Sequence, residues 1–143
     1  MDLPNELKFQ FICNAKPVND LLVYITLLAD KKNNYTLKPL MTDKKGVIQI
    51  SQPTIIGTIK NEMTNHPMDY KSTIEDCNGI ELIVESMDKL KKRVELLSDF
   101  YPQDAMELEK LISICSNSKY ADIHIFYEFP LQNQVFQIKL KEL

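Results

Sequence analysis

The spacing of hydrophobic positions changes along the chain, and each change marks an element. Residues 8–14 alternate, with Phe9, Phe11 and Cys13 on one side and Lys8, Gln10, Ile12 and Asn14 on the other. That period of two is the mark of a half-buried strand. Pro17 and the Asn19-Asp20 pair then break the run and turn the chain. Residues 21–28 are apolar on both faces, Val23, Ile25 and Leu27 opposite Leu22, Tyr24 and Leu28, which predicts a central strand covered on both sides. Residues 30–34 form a polar loop, and residues 35–40 a short edge segment, because Pro39 has no N–H to give a ladder. Residues 42–46 turn tightly, with Gly46 supplying the positive φ, and Val47, Ile48 and Ile50 resume a strand.

Helical spacing follows. Ser51 is placed to cap a helix with Pro53 in its first turn, and Ile55, Ile56 and Ile59 give it an apolar stripe that ends at His66-Pro67. From Ile80 the apolar positions recur at Ile83, Met87, Leu90, Val94 and Leu97, one face of an amphipathic helix, with Asn78 and Glu81 spaced as a capping pair. A strand over residues 79–85 is the alternative, since so short an apolar run fits either period. Pro102 and Asp104 open a further helix carrying Met106, Leu108, Leu111, Ile112 and Cys115, and the short link predicts an antiparallel helical hairpin. Residues 120–129 return to strand, with Ile123, Ile125, Tyr127 and Phe129 on one face and Asp122, His124, Phe126 and Glu128 on the other. Residues 131–133 read as a hairpin loop, and residues 134–140 as its second strand, with Phe136, Ile138 and Leu140 inward. The fold class that emerges is α+β. It is a single domain over residues 1–143 with an antiparallel β-sandwich-like sheet, strands at about 8–50 and 120–141, and a helical segment at about 53–116.

Residues 14–50 carry a resemblance. Lys16-Pro17-Val18, then Val23-Tyr24-Ile25, then Thr42-Asp43-Lys44-Lys45-Gly46-Val47-Ile48 follow the order of turn, apolar strand, Thr-Asp-x-x-Gly turn and strand. This resembles the transthyretin-like, or carboxypeptidase regulatory-like, β-sandwich domains. Ala15 and Asp20 stand where that pattern usually has glycine. The resemblance implies an Ig-like sandwich that acts as a folding, binding or surface module, with the helical stretch as an elaboration of it. It implies no activity.

Composition narrows the classes. At 143 residues and 44% hydrophobic, the chain is long enough for one cored domain. Net charge is −3, and the lone Arg93 stands against sixteen lysines, so bidentate phosphate and base recognition is not favoured and no nucleic-acid partner is expected. Charge is segregated: residues 1–60 hold eight Lys and five acids, whereas residues 61–118 hold six Lys or Arg and twelve acids. The acidic stretch reads as a solvated helical face or a surface for a partner. No signal-like opening or membrane-length apolar run is present, and Cys13, Cys77 and Cys115 are odd in number and far apart. The expectation is a cytoplasmic protein with reduced thiols and no membrane association.

Chemistry has few candidates. On the strand at 122–128, Asp122, His124 and Glu128 share a face and are the residue types that ligate metals or exchange protons, although alternating polar residues also mark any outer sheet face. His66 and Asp69 form a second such pair in a loop. Cys77 has no adjacent base to activate it. With Gly46, Gly57 and Gly79 the only glycines, phosphate-cradling loops are excluded. The basic run Lys89 to Arg93 is flanked by Glu85, Asp88, Glu95 and Asp99, which predicts ion pairs within one helix. No catalytic residue, metal or cofactor is assigned. The expectation is a non-enzymatic interaction module holding a protein partner, one version being a small intracellular inhibitor or immunity-type protein. The alternative is a hydrolase or metal-dependent enzyme built on His124 or His66 with nearby carboxylates. A homodimer through the helical hairpin is a third arrangement.

Overall fold

A computed structural model describes residues 5–28, 34–62, 77–129, 131 and 134–143. Two sheets face each other across one core, and a helical hairpin covers part of the outer face of the second sheet. The first sheet is built on β1 (Glu6–Cys13). On one edge β1 pairs antiparallel with β2 (Lys16–Pro17) and β6 (Val47–Ser51), and on the other it pairs with β9 (Val135–Lys139) in parallel. The second sheet is antiparallel throughout. Its central strand β3 (Leu22–Leu28) takes β4 (Asn34–Thr36) and β5 (Leu40–Met41) on one edge and β7 (Gly79–Val84) on the other, and β8 (Ile123–Glu128) adds to β7. The architecture is therefore an α+β sandwich with mostly antiparallel sheets.

The alternation in β1 buries Leu7, Phe9, Phe11 and Cys13 against Val23, Ile25 and Leu27 of β3 and Ile80, Leu82 and Val84 of β7. The opposite face of β3, Leu22 and Tyr24, packs under α2 (Met87–Ser98) and α3 (Pro102–Ile114), on Leu90, Val94, Ala105, Leu108 and Ile112. The doubly apolar run at 21–28 is thus a strand covered on both sides. Helix α1 (Gln52–Glu62) follows β6 directly and buries Ile55, with the Ser51 hydroxyl accepting from the Thr54 N–H at 3.3 Å.

Turn chemistry ties the first half together. Asn14 and Ala15 both take positive φ, 51° and 65°, between the paired residues Cys13 and Lys16. That is the two-residue hairpin turn whose twist matches the strands. Gly46 has φ 76°, and a Cβ there would meet the Phe11 carbonyl oxygen at 2.4 Å. Asp43 closes the same turn by accepting from Lys45 N at 2.8 Å and Val47 N at 3.0 Å. Thr42 is buried, donates to Val18 O at 2.6 Å and accepts from Leu21 N at 2.9 Å, so it ties the entry of β3 to the strand before it.

Four expectations change. The stretch at 79–84 is a strand, not the start of a helix: Ile80, Leu82 and Val84 bury in the inter-sheet core with period two, and the helix begins at Met87, with Ser86 and not Asn78 as its cap. The helices do fall within 53–116, but that stretch also supplies β7, which lies between β3 and β8. Residues 134–140 do not form a hairpin with β8. Phe9, Tyr127 and Phe136 meet with ring centroids 5.0–5.5 Å apart, so the pair of strands stacks across the core, and β9 satisfies its backbone on β1. The basic run on α2 pairs with its neighbours, not within its helix: Lys89 with Asp122 and Arg93 with Glu85. The expected helix end at His66-Pro67, the side chains of Ile59 and Asp69, and most of the loops at 30–34 and 131–133 lie outside the described residues.

Candidate functional site

The hairpin of α2 and α3 is seated on the outer face of the second sheet, and the turn that joins the two helices forms its tip. Leu90 and Val94 seat α2, and Ala105, Leu108 and Ile112 seat α3. At the strand side, Arg93 lies 4.3 Å over the Tyr24 ring while its Nε donates to Glu85 Oε1 at 2.6 Å, and the same oxygen takes its Nη2. Burial pushes the Tyr24 phenol up from its ordinary value; the Arg93 charge opposes this and Glu85 adds to it. Asn117, fully buried, accepts from Leu22 N at 2.8 Å and donates to Leu22 O and Glu85 O at 3.0 Å. These contacts tie the hairpin and the chain after it to β3 and to the end of β7.

At the far end the hairpin exposes large apolar groups. Leu96 is 76% exposed, Phe100 80%, Tyr101 62% and Met106 59%. Leu96 and Phe100 are four residues apart, and Tyr101-Pro102 carries the chain into α3. Between Val94 and Glu109 there are five carboxylates, Glu95, Asp99, Asp104, Glu107 and Glu109, and no Lys or Arg. Met106, among the apolar residues of α3, points outward. Beside this tip, a cleft of about 280 Å³ runs between the hairpin and the link from β4 to β5. Tyr24, Leu37, Leu97, Leu108 and Leu111 line it, with Asp104 and Glu107 at its side, and Lys38 reaches to 3.9 Å from Glu107.

The other candidate face is the outer side of β8. His124 pairs through Nε2 with Glu81 of β7, whereas Asp122 is held by Lys89, whose ammonium that contact drives up in pKa. Glu128 sits opposite Gly79, and the Phe126 ring lies over that glycine. The face shared in sequence by Asp122, His124 and Glu128 is therefore split among different partners. Among the described residues no three His, Cys, Asp or Glu side chains are placed to hold a metal ion. His66 and Asp69 lie outside those residues. Cys77 is buried in the inter-sheet core. Among the described residues no helix is long and apolar enough to cross a membrane.

Sequence reasoning placed the hairpin but not its tip. The signal was present in Leu96 and Phe100, which fall off the buried stripe, and in the stretch from 94 to 109 without a base. Comparison with family models, curated proteins and solved structures finds no match to this chain.

Proposed function

We propose that this chain is a non-enzymatic interaction module that holds a protein partner on the tip of its helical hairpin. The observation that carries this reading is the combination of exposed Leu96, Phe100, Tyr101 and Met106 with five carboxylates, and no Lys or Arg, between Val94 and Glu109. Aromatic and large aliphatic groups supply the anchors of protein interfaces, and charge around them selects the partner and speeds encounter. The fitting partner has an apolar patch within a basic surface. Anionic membrane is disfavoured by the same carboxylates. A small acidic inhibitor or immunity-type protein of the cytoplasm has these traits, and the two buried cysteines suit a reducing compartment. The positive φ of Ala15 and Asp20, where transthyretin-like domains usually carry glycine, supports kinship with those binding modules.

The test is capture of partners from source lysate by the tagged chain, run beside a Phe100→Asp variant. The expected result is one stoichiometric partner, lost with the variant and weakened by added salt. Phe100→Ala should weaken binding by at least about thirty-fold, the mark of a central anchor. A partner retained equally by Phe100→Asp, or no partner at all, would overturn the assignment.

A further inference from the structure

The second sheet ends in an open strand of unusual composition. β8 pairs with β7 along its whole length, from Ile123 opposite Val84 to Glu128 opposite Gly79, and among the described residues no strand pairs with its other edge. The Phe129 N–H bonds back to Asn78 O at 2.8 Å. Alternation then turns the backbone of Ile123, Ile125 and Tyr127 toward β7 and that of His124, Phe126 and Glu128 toward the open side. Proteins guard such edges with lysine, proline, bulges or very short strands. Here β4 is three residues long and β9 carries Lys139, but the stretch from Tyr120 to Ile138 contains no Lys or Arg, and its one proline, Pro130, comes after the strand has ended at Glu128.

The side chains of β8 also mark an unfinished core. On β7, the inward residues Ile80, Leu82 and Val84 are at most 1% exposed. On β8, the inward residues Ile123, Ile125 and Tyr127 stay half-buried, as do Phe129 and Phe136 on the same flank. Outward, Phe126 is 48% exposed.

We propose that two copies of the chain pair antiparallel through β8, with Phe126 facing Phe126 of the second copy on a two-fold axis. The register follows from charge. Centred on Phe126, the pairing sets each His124, whose Nε2 is on Glu81 and whose other ring nitrogen is left to the partner, opposite the Glu128 of the second copy, and sets Ile125 opposite Tyr127 inside. Centred one residue earlier, it sets His124 opposite Phe126, where it meets no carboxylate, and Glu128 opposite Asp122, whose charge Lys89 already holds. Directly opposed like charges destabilise a strand pair and opposite ones stabilise it. The same patch serves both copies, so the contact closes as a dimer and joins two second sheets into one. It lies on β8, away from the hairpin tip, and stands or falls independently of partner binding there.

Sedimentation equilibrium of the full chain tests this directly. The expected species at micromolar concentration has twice the 16.6 kDa chain mass. Phe126→Lys, which puts two ammonium groups against each other on the axis, should weaken association by at least about tenfold with an unchanged circular dichroism spectrum. Glu128→Lys should weaken it too, and His124→Glu added to Glu128→Lys should restore it. Phe126→Cys should cross-link to itself on oxidation, whereas Ser98→Cys on the hairpin should not. A 16.6 kDa species at all concentrations would overturn the proposal. So would a dimer indifferent to Phe126→Lys, or one cross-linked through Ser98→Cys.

Discussion

Backbone conformation at a few residues decides how firmly the first half of the chain is held. Ala15 sits at φ 65° in a two-residue hairpin turn, where its Cβ crowds the carbonyl that follows it. Ala15→Gly should remove that strain and stabilise the fold by about 1 kcal/mol, read from the urea midpoint. Gly46 is the reverse case. Gly46→Ala adds a Cβ against the Phe11 oxygen at a φ of 76°, and should cost about 3 kcal/mol or more. Asn117→Ala leaves the buried Leu22 N–H without the acceptor now at 2.8 Å, and should cost about 2–3 kcal/mol. Equal midpoints for these variants and the parent would refute the reading of each site. Gly46 was legible in sequence because a Thr-Asp-x-x-Gly turn needs a residue that tolerates positive φ. Asn117 was not, since its Leu22 partner lies 95 residues away and nothing local marks the pair.

At the scale of elements, the hairpin is pinned by one ion pair and only brushed by another. Glu85 is 11% exposed at its side chain and Arg93 37%, and the guanidinium also covers Tyr24. Glu85→Gln removes the charge from that bond and should cost about 2 kcal/mol, between exposed and fully buried pairs. Lys89→Ala, at an exposed pair with Asp122, should leave the midpoint nearly unmoved. Equal losses for the two variants would show that burial does not separate them. Which elements exist was largely readable from periodicity: β1, β3, β6, β8, β9 and α3 fall where the spacing puts them, whereas α2 begins two turns later than its apolar stripe. Which elements touch was less so. Period two tells which side of β9 is apolar but not whether its backbone joins β8 or β1, and only the packing of Phe136, stacked on Phe9 and tilted against Tyr127, decides. For residues 79–84, the four hydrophobic positions Ile80, Leu82, Ile83 and Val84 fit a helix or a strand, and the need of β3 for an antiparallel neighbour selects the strand. The hairpin tip escaped notice because exposure of Phe100 and Tyr101 depends on how the two helices seat on the sheet, which spacing along the chain does not give.

For the molecule as a whole, its tyrosines make the layers sensitive to alkali. Tyr24 lies under the hairpin, Tyr127 between the sheets and Tyr120 beside the chain end, and burial is the leading cause of a raised pKa in each. Burial disfavours the phenolate, so near and above the ordinary value of about 10 the unfolded chain gives up protons that the folded chain keeps. The folded state then binds more protons, and stability must fall as pH rises. The contribution is complete below about pH 10 and is lost as pH climbs through the raised folded-state values. Lys89, whose ammonium is favoured by Asp122 in the fold, acts in the same direction. The urea midpoint should therefore hold steady to about pH 9 and drop above it. Phenolate absorbance from the buried rings should appear together with loss of the circular dichroism signal, not before it. Tyr24→Phe should shallow the drop, because it removes the group whose ionisation the hairpin opposes while leaving its ring under Arg93. If Tyr24→Phe leaves the alkaline slope unchanged, or all phenols titrate near their ordinary value in an intact fold, burial at that layer does not control the transition.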